Sequence, residues 1–325
     1  MNSNSSRLLG DIGGTNARFG WQRAPHQPIE HCRSLLCSDY PSLEAAIRAY
    51  LRDIGQKSPA HCAIGIANPI TGDEVRMTNH DWSFSISALR AALHLERLVV
   101  VNDFTALALS LPTLPREFVR QVGRGQAVAE SAIALTGPGT GLGVSGLLPT
   151  TRAGTWSPIS GEGGHATLAA EGEIEHRVLS ALRHRHGHVS AERVVSGPGL
   201  VETYRVLLNL KRRSQPRHEV LGDAAAVVAS ALRRDDPQAM EALNLFCGFL
   251  GSVAGNLALT IGARGGVYIG GGIVPRLGRW FDDSAFRRRF EGKGRFEGYL
   301  SAIPTFVIDA PTSPALQGAA NALDD

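Results

Sequence analysis

Three short apolar runs in this sequence each end in a cluster of glycines, at residues 10–14, 137–143 and 270–272. A brief apolar run closed by glycine reads as a strand that delivers bare backbone to its own end. Glycine has no Cβ, so such a turn can tighten and leave its N–H groups open to a close-lying ligand. The chain holds 37 glycines in 325 residues, about 11% against an average near 7%, and many sit at these strand ends. Glycines so placed suggest backbone that approaches a ligand closely.

Around the first cluster, Phe19 and Trp21 keep a two-residue period after the glycines. Residues 7–21 therefore read as a hairpin and not as a strand entering a helix. A third strand falls near 34–37. Leu43, Ala46, Ile47, Tyr50, Leu51 and Ile54 recur at helical spacing, with Pro41 before them and Gly55 after. Apolar strands at 63–67 and 98–101 flank a helix near 85–93, so the first part reads βββαβαβα, a mixed sheet with helices on its faces. The second part begins near residue 114, with strands at 132–136 and 144–148 and helices near 173–185, 198–210, 224–233 and 237–261. A strand at 266–269, a helix at 284–290, a strand at 305–308 and a helix from about 314 complete it.

Composition removes several classes. Hydrophobic residues make up 43% and charged residues 19%, which is enough to bury a core and too little charge for disorder. A formal charge of +3 is too weak for the electrostatic footprint of a nucleic-acid binder, yet compatible with an anionic small molecule. Cys32, Cys37, Cys62 and Cys247 form no CxxC and fit neither a disulfide framework nor a zinc site, so a reducing cytoplasmic compartment is expected. Residues 1–6 lack the apolar stretch of a signal peptide. Residues 245–263 carry no charge and could span a bilayer by length, but Ser252, Asn256, Thr260 and four glycines keep them only modestly apolar. They read as a helix buried on most faces, with no membrane association.

Five stretches could carry chemistry. In Gly10-Asp11-Ile12-Gly13-Gly14-Thr15-Asn16, bare amides could face phosphate oxygens and Asp11 could hold Mg²⁺ through water; a plain glycine hairpin would look the same. Residues 136–143 contain Gly139, Thr140 and Gly141 directly after an apolar strand. Gly141, Gly143 and Gly146 match GxGxxG, but that fingerprint must open a helix and a strand follows here; no GxxxxGK[ST] occurs. At Gly270, Gly271 and Gly272, side-chain-free backbone would let a flat base lie against the loop. Asn102 and Asp103 close a fully apolar strand, where Asp could accept a hydroxyl proton and Asn fix a neighbouring hydroxyl; Asp103 could equally be the cap of the next helix. Glu162 and His165 share a glycine-rich loop and could clamp vicinal hydroxyls. The histidines at 184, 186 and 188 lie among arginines and read as a solvated basic helix end, not a metal site.

Taken in order, these stretches resemble the bacterial glucokinase family, the branch of the sugar kinase/actin-like ATPase superfamily without the ROK signature. They are joined by Pro69-Ile-Thr-Gly-Asp73, Met77-Thr-Asn-His80, His188-Val-Ser-Ala-Glu-Arg193, Ser196-Gly-Pro-Gly199 and Gly270-Gly-Gly-Ile-Val-Pro275. The resemblance implies a two-lobed α/β actin-like ATPase (ribonuclease H-like) fold, with mixed sheets, flanking helices and a cleft between lobes. It implies a small lobe of residues 5–112 plus 305–325 and a large lobe of 113–304, with 210–220 as a variable surface insertion. Residues 10–15 then match the first phosphate loop, Gly139–Gly141 the second, and Gly270–Gly272 the adenosine loop. Asn102, Asp103, Glu162, His165 and Glu192 match the glucose ligands, with Asn79 a further contact and Asp103 the catalytic base.

The activity so implied is transfer of the γ-phosphoryl group of ATP, with Mg²⁺, to the 6-hydroxyl of glucose. Lobe closure would exclude water from that transfer. A homodimer is also suggested. The ROK branch carries a cysteine-rich zinc motif after its E-x-G-H, whereas Ala-Thr-Leu-Ala-Ala follows His165. The rival readings are a superfamily kinase with another sugar acceptor, and a non-enzymatic actin-like nucleotide binder without a hydroxyl clamp. A sugar-kinase-type repressor would need a helix-turn-helix before the first strand, and only six residues precede Arg7.

Overall fold

The computed structural model describes residues 5–211 and 220–324, so most of the segment expected as a surface insertion lies outside the described residues. The chain divides into two compact units. The first runs to Pro115 and takes in Pro158–Ser160 and the residues from Ala310; the second holds Arg116–Ser157 and Gly161–Asp309.

The first unit contains β1 (Arg7–Ile12), β2 (Asn16–Gln22), β3 (Glu30–Leu36), α1 (Leu43–Asp53), β4 (His61–Ile66), β5 (Glu74–Arg76), β6 (Ser83–Ser85), α2 (Ile86–Ala92), β7 (Arg97–Asn102) and α3 (Asp103–Ser110). Its main sheet has the order β3-β2-β1-β4-β7, with β5 and β6 as a separate hairpin that the βββαβαβα reading did not include. Strand β1 is buried along its whole length, and its two faces serve different cores. Leu8 and Ile12 pack with Ile47 and Tyr50 of α1. Leu9 and Ala63 face Leu316, Ala319 and Leu323 from the end of the chain. Helix α1 starts where Ser42 accepts the Ala45 N–H at 3.1 Å.

The second unit contains β8 (Val119–Val122), β9 (Ile133–Pro138), β10 (Leu142–Pro149), the start of β11 (Trp156–Ser160), whose last three residues group with the first unit, α4 (Glu173–His186), α5 (Gly197–Lys211), α6 (Ala224–Arg233), α7 (Pro237–Ile261), β12 (Val267–Ile269), α8 (Arg279–Asp282), α9 (Phe286–Glu291), α10 (Glu297–Ser301) and β13 (Thr305–Ile308). The sheet order is β11-β10-β9-β12-β13-β8. Helix α7 is the one described helix long and apolar enough to cross a membrane, with mean hydropathy 1.5 over its most apolar stretch. That stretch is 72% buried inside the protein, which makes it a core helix. Asp236 caps it by accepting the Gln238 and Ala239 N–H groups, and Gly262 ends it in the left-handed region. Arg289 of α9 lies buried against α7, donating to Ser252 and paired with the buried Glu175 of α4.

The last helix, α11 (Ala315–Asn321), returns to the first unit, but β13 does not. The expectation that residues 305–325 join the first lobe is corrected for the strand. Strand β13 runs parallel to β12 and antiparallel to β8, and the buried Thr305 hydroxyl donates to the Val122 carbonyl at 2.6 Å. Strand β8 is four residues long with Arg120 and Gln121 at its centre, so no apolar pattern announces the partner that claims β13.

Helices α3 and α11 cross so closely that a Cβ on Gly318 would overlap the Ala106 carbonyl oxygen. Gly318→Ala is therefore expected to lower stability by about 3 kcal/mol in urea unfolding, at the upper end of ordinary overpacking. Gly72→Ala, where a Cβ meets nothing within 4 Å, should change it by less than about 0.5 kcal/mol.

Candidate active site

Parallel pairing sets Ile12 beside Ile66, and Ile66 beside Asn102. The carboxyl ends of β1, β4 and β7 are level, and the segments leaving them share the sheet edge where parallel folds bind ligands. Gly10, Asp11 and Ile12 are the buried end of β1, while Gly13, Gly14 and Thr15 turn the chain into β2, with the Gly13 N–H donating to the Asn16 carbonyl at 2.9 Å. Cys37 braces that turn: its N–H donates to the Thr15 carbonyl at 2.9 Å and its thiol lies 3.4 Å from the Gly13 carbonyl. A Cβ on Gly14 would come within 2.8 Å of both the Cβ and the carbonyl oxygen of Asn79. Asn79 thus sits directly on the first glycine loop, in a segment held by the Thr78 N–H donating to Asn68 Oδ1 at 3.2 Å. The glycine makes room for that segment, which the sequence alone did not reveal.

Asp11 is 8% exposed, and its Oδ2 accepts from Arg18 at 3.3 Å. Among the described residues no group of three or more His, Cys, Asp or Glu could hold a metal ion. A single carboxylate at the base of the loop fits an ion that keeps most of its water, as Mg²⁺ does.

The choice between cap and base at Asp103 turns on geometry. Asn102 is the N-cap of α3: its Oδ1 accepts the Phe104 N–H at 2.9 Å and the Thr105 N–H at 3.2 Å. Asp103 is the first residue of the helix, and its Oδ1 accepts the adjoining Phe104 N–H at 2.9 Å. The cap role falls to Asn102, whose Nδ2 is the side-chain atom left to address a hydroxyl.

In the second unit, Ile269 at the end of β12 pairs with Thr136 of β9, so both remaining glycine loops leave the same sheet edge. They pack backbone to backbone. A Cβ on Gly137 would overlap Gly270, and Gly271, at φ +78°, has no room for a Cβ beside the Pro138 carbonyl. Gly137 and Gly271 are thus needed first for loop packing, whereas at Gly272 a Cβ meets nothing within 4 Å. Gly139, Thr140 and Gly272 line a cavity of about 900 Å³.

The sequence reading missed several of the cavity's other walls. Helix α5 opens on the cavity through Ser196, Gly197 and Pro198, and its N-terminal dipole favours an anion there. Arg193, Arg205 and Arg276 also line it. Their sequence signals were the His188–Arg193 and Ser196–Gly199 motifs, while Arg205 and Arg276 lie outside both. Glu202, on the same wall, would be raised by burial, but hydrogen bonds from His186 and Arg185 hold its carboxyl below the usual range.

Glu162, His165 and Glu192 come together as expected. His165 Nε2 lies 4.0 Å from Glu162 Oε2, and its Nδ1 lies 4.0 Å from Glu192 Oε1. Glycine again allows the approach: a Cβ on Gly164 would overlap the Leu142 carbonyl. Glu162 and His165 are exposed side chains, presented outward with unfilled hydrogen-bonding capacity.

The sequence model of the glucokinase family matches residues 8–325. A curated glucokinase of Aromatoleum aromaticum is 54% identical over 321 residues, covering 98% of this chain and 95% of that protein. The solved glucokinase of an Antarctic psychrotroph superposes with a TM-score of 0.86 at 37% identity, covering 98% of this chain and 99% of that one. A ROK family glucokinase from Streptomyces griseus, in complex with glucose and AMPPNP, shares the fold at a TM-score of 0.65 and 19% identity, covering 98% of each chain. With a full-length family match and a full-length relative above half identity, the chain belongs to the glucokinase family.

Proposed function

We propose that this chain is an ATP-dependent glucokinase that phosphorylates the 6-hydroxyl of glucose. The observation that carries the proposal is Asp103, a carboxylate at the same sheet edge as the first glycine loop, next to Asn102, which is the N-cap of the helix. In this reading the residues matched to the sugar are divided: Asn79, Asn102 and Asp103 come from the first unit, and Glu162, His165 and Glu192 from the second. The two units would act as the small and large lobes. The cavity beside Gly139–Gly141 and Gly272 would take the nucleotide, with the arginines and the α5 terminus facing its phosphates.

Phosphoryl transfer asks mainly for positioning and charge neutralisation. Residues 10–15 and 139–141 offer backbone amides to phosphate oxygens, Asn102 and Asn79 orient the acceptor, and Asp103 accepts the proton of the 6-hydroxyl as the hydroxyl oxygen attacks the γ-phosphorus and the bond to the departing ADP oxygen breaks. Mg²⁺, held through water at Asp11, would neutralise phosphate charge. The residues directly after His165, Ala-Thr-Leu-Ala-Ala, include no cysteine, which supports placement outside the ROK branch. The four cysteines are unpaired thiols, in keeping with the cytoplasm. A homodimer completes the proposal, with sedimentation of the purified protein as its measure.

Asp103→Asn is expected to keep its melting temperature, because Asn102 caps the helix, and to bind glucose within a few-fold of wild type. Its kcat in a coupled assay should fall at least about a hundredfold. Turnover near wild type would assign proton removal to another group. Glu162→Ala should weaken glucose binding by about 1.5–3 kcal/mol, the worth of a charge-assisted hydrogen bond, while ATP affinity measured without sugar stays unchanged. Calorimetry of both ligands checks this, and equal losses for both would mark Glu162 as structural.

A further inference from the structure

We infer that Glu192 is a positioning residue for the second phosphate loop as well as a sugar ligand, so that acceptor and donor binding are coupled through one carboxylate. The inference rests on reading Glu192 as a glucose ligand and adds a second role to it.

The two oxygens of Glu192 face different loops. Oε2 accepts the Leu142 N–H at 2.9 Å, at the point where the glycine turn enters β10. Oε1 lies 4.0 Å from His165 Nδ1, on the sugar side. The backbone follows the same split, since the Glu192 N–H donates to the Gly164 carbonyl at 2.9 Å within the Glu162–His165 loop. The turn itself is closed by the Gly139 N–H donating to the Gly141 carbonyl at 2.8 Å. A Cβ on Gly141 would collide with Glu192 Oε2, so the phosphate loop has a bare backbone where the carboxylate rests on it. Glu192 also lines the cavity that holds Gly139 and Thr140.

A carboxylate so placed cannot adjust to a sugar hydroxyl without pulling on the Leu142 amide, and cannot lose that amide without drifting from the sugar. Coupling between two sites is reciprocal in free energy. Damage on either side is therefore felt on both. Glu162, whose carboxylate has no such bond to the glycine turn, supplies the contrast.

The test measures affinities for glucose alone and for magnesium–AMPPNP alone, by calorimetry, in Glu192→Ala, Glu192→Gln and Gly141→Ala, each checked first by circular dichroism and melting temperature. Glu192→Gln keeps an oxygen for the Leu142 N–H but loses the charge. It is expected to bind glucose at least about tenfold more weakly and AMPPNP as wild type does. Glu192→Ala should lose glucose binding and also weaken AMPPNP by about three- to tenfold with no sugar present. Gly141→Ala should weaken glucose about three- to tenfold with no nucleotide present.

Wild-type AMPPNP affinity in Glu192→Ala, or equal AMPPNP losses in the Ala and Gln variants, overturns the inference and leaves the sugar role standing. Wild-type glucose affinity in Gly141→Ala overturns it as well; if that variant does not fold, the Ala/Gln pair decides alone. Wild-type glucose affinity in Glu192→Gln removes Glu192 from the sugar site altogether.

Discussion

Parallel pairing in register is the constraint on which both units depend. Ile12, Ile66 and Asn102 end level in one sheet, and Ile269 ends beside Thr136 in the other. A slip of one residue would turn every side chain of a strand to the opposite face. In β1 it would exchange Leu8 and Ile12 with Leu9 between two separate cores. The register is thus fixed by burial on both faces, and the loops at the strand ends inherit their positions from it. Chemistry at the edge is placed by packing well behind it.

The glycines then divide into two kinds that look alike in sequence. Gly14, Gly137, Gly141, Gly164 and Gly271 lack a side chain because protein atoms already occupy the space. At Gly139 and Gly272 a Cβ would meet nothing, and these line the cavity. Loops of the first kind are stiffened by their neighbours, which suits catalysis that works by holding groups in place. Bare backbone here brings loop against loop before it brings loop against ligand.

This separation marks what the sequence could and could not reveal. The strand-then-glycine signal at three places is local, so the loops and most helices were legible. So was the place of Asp103 at a strand end, since a polar pair after Val99, Val100 and Val101 stands out along the chain. The division of labour between Asn102 and Asp103 was not, because both are good capping residues and only the dihedral geometry separates them. Arg205 and Arg276 join Arg193 around one cavity from elements far apart in the sequence, and no short pattern encodes that meeting. The hairpin of β5 and β6 and strand β8 were missed for a simpler reason: three or four residues are too few to show a period.

Helix α11 has a consequence for the order in which the protein is made. The core beneath β1 and β4 includes Leu316, Ala319, Ala320 and Leu323, and Arg7 at the head of β1 is tied to Asp324 at 2.6 Å. Nearly the whole second unit is translated between α3 and the helix that packs against it. At about 5–20 residues per second, a ribosome would take roughly 10–40 s to cover that interval. Throughout it the apolar face of α3, which carries Asp103, waits without its partner while the second unit can already collapse on its own core. The nascent first unit is therefore the part that a chaperone would have to shelter until α11 has left the ribosome.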